Sequence, residues 1–278
     1  MRPMMNQRFL FAALFVWAFS LGGQLAAQAP APAAPPAGQP AAVPQGPARG
    51  GRGGRGGYQP PAGPAPRLPW GKPDFNGVWS RPYTANIEQR GTTLPYTEWG
   101  KKEWENYHAE DGDYTGSCLP FGYVRSVNSP DPVHIMQSEK NLAFLWEQDS
   151  WYKVLNIDGT KALTKGVPTW FGDSVGHWDG DTLVIETSNF NGLTKLDTAG
   201  HPHSDQLKTT ERYVRTDLGH IAYQLTIDDP KTYTKPIVSN RTFTLRPDWE
   251  VLEYSCEENN VGLVEGRIKV PKNVTGDK

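Results

Sequence analysis

Several features are scarce in this chain of 278 residues. It has two cysteines, Cys118 and Cys256, which rules out both a multi-cysteine metal site and a disulfide-dense scaffold. Charge is nearly balanced, with 28 Lys and Arg against 30 Asp and Glu. Loss of a leader carrying Arg2 and Arg8 would take the formal net charge from -2 to -4. So mild a value leaves no electrostatic footprint for nucleic acid or an acidic membrane surface. Helix-length apolar periodicity is sparse, and no Gly-rich loop opens a helix in the way that nucleotide binding requires.

The apolar run from Phe9 to Leu21 follows Arg2 and Arg8 and gives way to Leu25-Ala26-Ala27. That is the layout of a secretory signal peptide, residues 1–27, cleaved after Ala27. The run is short for a membrane span and the cleavage site offers no cysteine for a lipid anchor, so a secreted or periplasmic chain without a transmembrane segment is expected. Residues 28–69 are rich in Pro, Ala and Gly, with Arg-Gly-Gly repeats at 49–55. They read as a disordered spacer, with envelope contact as its role and no nucleic-acid partner, because an exported chain seldom meets one. Residues 70–278 are about one domain long. In an oxidising compartment Cys118 is expected to pair with Cys256, joining the start of the domain to its last strand. The chain-entropy model gives roughly 4–5 kcal/mol as the upper value for closing so long a loop.

The second half of the domain alternates apolar and polar residues between turn signals. "VHIMQS" and "LAFLWE", then "WYKVLNI", "GHWDGDTLVIET", "LKTTERYVR", "HIAYQLTID", "RTFTLR" and "EVLEYSC" read as successive strands. Asp179-Gly180 is expected to form a type I′ hairpin turn. Connections this short force antiparallel neighbours, and about 8–10 strands without long helices must close or pack as two sheets to bury their faces. The expectation is an all-β antiparallel meander closing into a barrel. A long irregular excursion, residues 81–132, should carry one short helix around Glu98 to Tyr107.

Gly77 and Trp79 in "DFNGVWS" resemble the Gly-x-Trp that opens the first strand of lipocalins and other calycin barrels, where the indole plugs the closed end. The excursion departs from that pattern, so no lipocalin ligand is carried over. The words "CLPFG", "SVGHWDGDTLVIET", "GHPHSDQL", "ERY", "IDDP" and "EYSCEEN" resemble an uncharacterised family of exported soil-bacterial proteins. That resemblance implies the domain boundaries and secretion and transfers no catalytic residue.

Candidate chemistry centres on "LDTAGHPHSDQL", residues 196–207, within a connection much longer than its neighbours. His203 suits proton transfer, with Asp205 or Asp197 to hold its tautomer and Glu211 on the following strand. If Tyr213 and Leu207 face inward, period 2 places Glu211 inside as well, where a carboxylate is costly unless paired. The catalytic set is therefore His203, Asp205 and Glu211. The competing reading is architectural, with Ser204 and Asp205 capping a turn and the histidines at the surface. His201 and His203 with a loop carboxylate match no metal-site signature, so no metal is assigned, and no cofactor is implied. Ser204 lacks the strand-turn-helix setting of a hydrolase nucleophile.

Of the 10 tryptophans, many fall in or beside strands, which suits either a packed core or an aromatic-lined cavity. Expected ligand contacts are His177, Trp178, His201, Arg212, Trp146 and Trp170. The functional expectation is a secreted barrel binding a small, largely apolar or aromatic molecule. The alternatives are an acid/base enzyme on the same barrel (cyclase, isomerase, dehydratase or hydrolase) and an envelope module that holds polysaccharide.

Overall fold

Alternation produces the strands. In β8, His220–Asp228, the residues Ile221, Tyr223, Leu225 and Ile227 are buried while their neighbours are not. Its partners β7, Lys208–Arg215, and β9, Ile237–Leu245, share the pattern. β1, Gly77–Ser80, precedes an irregular stretch holding α1, Glu98–Glu105, and α2, Tyr123–Asn128. The series continues with β2, Val133–Gln137, β3, Asn141–Trp146, β4, Tyr152–Asn156, β5, Asp173–Asp179, and β6, Thr182–Ser188. A short α3, Val261–Val264, follows β9. The computed structural model describes residues 57–88, 92–108, 114–160, 166–258 and 260–267. The expected leader and the spacer up to residue 56 lie outside the described residues.

Neighbours in sequence are neighbours in the sheet, and β9 returns to β1, giving a closed barrel of nine strands. Closure removes the sheet edges that an open meander would leave exposed. One seam breaks the antiparallel expectation: β4 and β5 are parallel and joined at Asn156↔Val175 alone. Their connection is too long for a hairpin, which frees the chain to return in the same direction.

At the end of the barrel where the tight turns lie, here the floor, Trp79 is fully buried and its indole N–H donates to the Phe75 carbonyl. Arg215 stacks on that indole at 4.4 Å. Residues 58–69, assigned from sequence to the spacer, are held here: the Tyr58 hydroxyl donates to Leu245 O, and Leu218 N donates to Gly63 O. Tyr58–Lys278 accordingly forms one compact unit. The β5–β6 turn uses Gly180 and Asp181 as its central pair, with positive φ only at Gly180 (61°). Positive φ at the first central position alone is the type II′ pattern, which corrects the expected I′ turn.

The opposite end, the mouth, is covered by the excursion and by the β6–β7 loop. α2 lies across it with Tyr123, Val124, Ser126, Val127 and Asn128 buried. Its N-cap, Gly122, has φ 90°, and a Cβ there would sit 2.3 Å from Thr194 Oγ1, so only glycine fits. The Cys118–Cys256 disulfide is formed. The segment "EVLEYSC" is irregular rather than a strand, so the bond ties the excursion to the chain beyond β9.

Candidate functional site

The interior is aromatic and filled by its own side chains. Trp146, Phe144, Tyr213, Tyr223 and Phe243 are all buried, with ring centroids between 4.7 and 6.1 Å along the chain of contacts. Into this setting β7 projects Glu211, which is 0% exposed. One of its oxygens accepts from the hydroxyls of Tyr213 and Tyr223, each at 2.8 Å, and the other from the hydroxyl of Tyr123. The three phenols satisfy the carboxylate and stay protonated, since burial first and the Glu211 charge second push their pKa values well up.

Cations surround this group. Arg81 donates to Ser126 O and Asp131 O, and Arg241 donates to Val127 O, so both serve the last turn of α2, whose carbonyls attract positive charge. Neither Nε has a hydrogen-bond partner among the described residues. Burial lowers both pKa values, that of Arg81 to about 10. Lys153, on the inward face of β4, is 7% exposed, donates to Phe171 O at 2.6 Å and lies 3.8 Å from the Tyr123 ring centroid. Burial drives its pKa down to about 7. Arg81, Arg241 and the partly protonated Lys153 thus share the barrel with Glu211, a positive excess in a buried interior.

Two clefts open at the mouth on either side of the chain leaving β1, and both touch Thr84. One, about 300 Å³, is walled by Tyr83, Phe121, Arg125, Asn128 and Asp131. The other, about 260 Å³, lies along β9. β1 pairs with β9 only at Trp79↔Leu245 and Ser80↔Thr244, so above that point β1 does not flank β9. Ile87, Ile227, Ile237 and Val238 form apolar walls there, and Arg241, 9% exposed, lines the same cleft.

The residues singled out from sequence are dispersed. His203 is buried; its Nδ1–H donates to Ser204 O and its Nε2 accepts from Thr194 Oγ1 at 2.7 Å. Burial lowers its pKa, so it is neutral at neutral pH. Asp205 is exposed, with Lys231 3.8 Å away. Glu211, by contrast, is interior, as its alternation with Tyr213 requires. These three have separate partners and do not converge. His201 is fully buried, bonded through Nδ1 to Asp197 at 2.6 Å and stacked on Trp104 at 4.4 Å. Asp197 also accepts from the amides of Ile87, Gly200 and His201. Asp229 accepts from Ser204 N and Oγ and from Thr232 N and Oγ1. The histidines are therefore parts of a locked loop, not surface groups.

His177 lies on the outer face of β5, beside an external cleft with Asp173, Glu186 and Lys208. Trp178 points inward and stacks on Phe75 at 6.0 Å. Arg212 faces outward and pairs with Asp179 at 2.8 Å. Trp146 belongs to the interior, and Trp170 is half-buried in the loop before β5. No group of three or more His, Cys, Asp or Glu among the described residues is arranged to hold a metal ion.

Lys153, Arg241, Tyr123 and Arg81 were missed. For two of them a signal existed: Lys153 shares its inward register with Leu155, and Arg241 with Phe243, so each is a cation written onto an apolar stripe. Protein-family models give no match to this chain, and neither do curated proteins.

Proposed function

We propose that this barrel binds a small apolar molecule bearing a carboxylate, in the cleft between β9 and the chain leaving β1. The observation that carries the reading is Arg241: a guanidinium 9% exposed, with its Nε unpartnered, at a cleft whose walls are Ile87, Ile227, Ile237 and Val238. Guanidinium groups recognise carboxylates through paired N–H donors, and a cleft that sets isoleucine and valine walls beside one charged side chain selects a molecule of matching polarity. The positive excess around Glu211 favours an anion further. The expected aromatic cavity inside the barrel gives way to a cleft at its rim, because the interior rings pack against one another.

Titration calorimetry with octanoate and with octanol tests this on the unmodified protein. The acid should bind and the alcohol should bind at least about tenfold more weakly, as expected for loss of a charged hydrogen bond. R241Q should erase that difference, and R241K should restore part of it. Equal binding of acid and alcohol, or an R241Q variant that keeps the preference, would overturn the reading.

A further inference from the structure

The seam between β4 and β5 differs from every other in the barrel. A single pair, Asn156↔Val175, joins the strands, and the register does not extend towards the mouth. There a side chain crosses instead: Lys153 reaches over and donates to the carbonyl of Phe171, just before β5. Its neighbours on β4, Tyr152 and Val154, point outward and are 72% and 61% exposed. Lys153 is therefore enclosed, and among the described residues it lies at a seam with almost no ladder.

The surroundings of this amine are aromatic. Tyr123 lies under the ammonium and contacts Trp146 at 6.0 Å and Phe171 at 6.3 Å. Trp151 closes the side, 5.7 Å from Phe171 and 4.5 Å from Phe121, and Phe171 and Trp151 are only partly buried. A lysine confers nothing on packing here that a methionine would not, and its charge is costly to bury. Among the described residues one carbonyl is its hydrogen-bond partner, while Glu211 is already filled by three phenols.

We propose that Lys153 is a nucleophilic amine that captures a small aromatic aldehyde as an imine, with the β4/β5 seam as the way in. The ring of the aldehyde would lie against Trp151 and Phe171, the two rings beside the seam that are only partly buried. The nitrogen lone pair attacks the carbonyl carbon and forms the C–N bond, while the carbon–oxygen π pair moves to oxygen. Both nitrogen protons finally leave with that oxygen as water, and a C=N bond remains. The reaction needs no oxidant, reductant or third reactant. Burial, which lowers the pKa of the amine to about 7, keeps a large share of it unprotonated at neutral pH, as an amine nucleophile requires. This site is separate from the carboxylate cleft at Arg241 and stands whether or not that reading does.

Reductive trapping tests it directly. The full chain is incubated with benzaldehyde and cyanoborohydride at neutral pH, digested and mapped by mass spectrometry. Lys153 should carry the benzyl group at least about tenfold sooner than the exposed Lys101 and Lys140. Its labelling rate should rise through pH about 7 and then level off, whereas that of the surface lysines should keep climbing. K153M, checked for an intact fold by its melting curve, should lose the fast label alone. Labelling of Lys153 no faster than that of the surface lysines, or none at all, would overturn the proposal without any variant.

Discussion

Two carboxylates in this protein are equally hidden from solvent but accept hydrogen bonds from different kinds of donor. Asp229, in the loop after β8, is 1% exposed and takes two backbone amides and two hydroxyls. Glu211, in the barrel, is 0% exposed and takes three phenolic hydroxyls and no backbone group. A carboxylate that satisfies amides fixes the path of the chain, and Asp197 does the same for Ile87, Gly200 and His201. A strand already has its amides paired in the ladder, so Glu211 holds no backbone. What it organises is a set of side chains, Tyr123 from α2 and two tyrosines from adjacent strands, amid buried cations. The loop cluster orders backbone, and the barrel cluster orders side chains around one buried charge.

The largest effect should come from Glu211→Ala. It strands three hydroxyls and removes the carboxylate that acts on Arg241 and Lys153, which by analogy with broken buried ion pairs costs about 3–5 kcal/mol. Glu211→Gln keeps an accepting oxygen and should recover part of that loss. Chemical denaturation measures both. A cost for E211A below that of D229A would break the contrast drawn above.

Asp229→Ala comes next, at about 2–3 kcal/mol, since bonds to a charged acceptor are lost and two buried amides must find new partners. Its signature should be local: hydrogen exchange should quicken at Ser204 and Thr232. Binding at the Arg241 cleft should be unchanged.

His203 should sharpen the comparison through pH. Its folded-state pKa lies below the ordinary value near 6.5 because burial penalises the imidazolium. The unfolded chain therefore takes up a proton that the native state refuses. The stability contributed is complete above pH 6.5 or so and is lost as pH falls from there towards the depressed native pKa, at about 1.4 kcal/mol for each pH unit that separates the native pKa from the unfolded one. His203→Gln should flatten the stability curve in that window, and no change in slope would show that His203 has the same pKa in the fold as in the unfolded chain.

How legible all this was depended on distance along the chain. The loop 196–207 drew attention because its polar residues are consecutive, and what they do is equally local. Glu211 was placed inside by parity with Tyr213, and the same parity applied to "WYKVLNI" and "RTFTLR" would have found Lys153 and Arg241. Closure of the barrel followed from alternation and short turns. The parallel β4/β5 seam left no mark, because nothing in a long connection states its direction. Tyr123 had no signal either: its role depends on α2 crossing the mouth, a contact between positions 88 apart.

The smallest expected effect belongs to the residue that looked most like a partner for His203. Asp205 is solvent-exposed, its one ion pair among the described residues is with Lys231 at 3.8 Å, and both side chains are well exposed. Such pairs contribute little, so Asp205→Ala should change stability by less than about 0.5 kcal/mol. The capping role expected of it falls to Ser204, whose hydroxyl donates to Asp229 and accepts from Gln206 N. Ser204→Ala should then cost about 1 kcal/mol, in the range for a lost capping bond. Because the two positions are adjacent, any general effect of disturbing the loop would move both variants alike. A D205A variant as destabilised as S204A would show that the exposed carboxylate holds the loop after all.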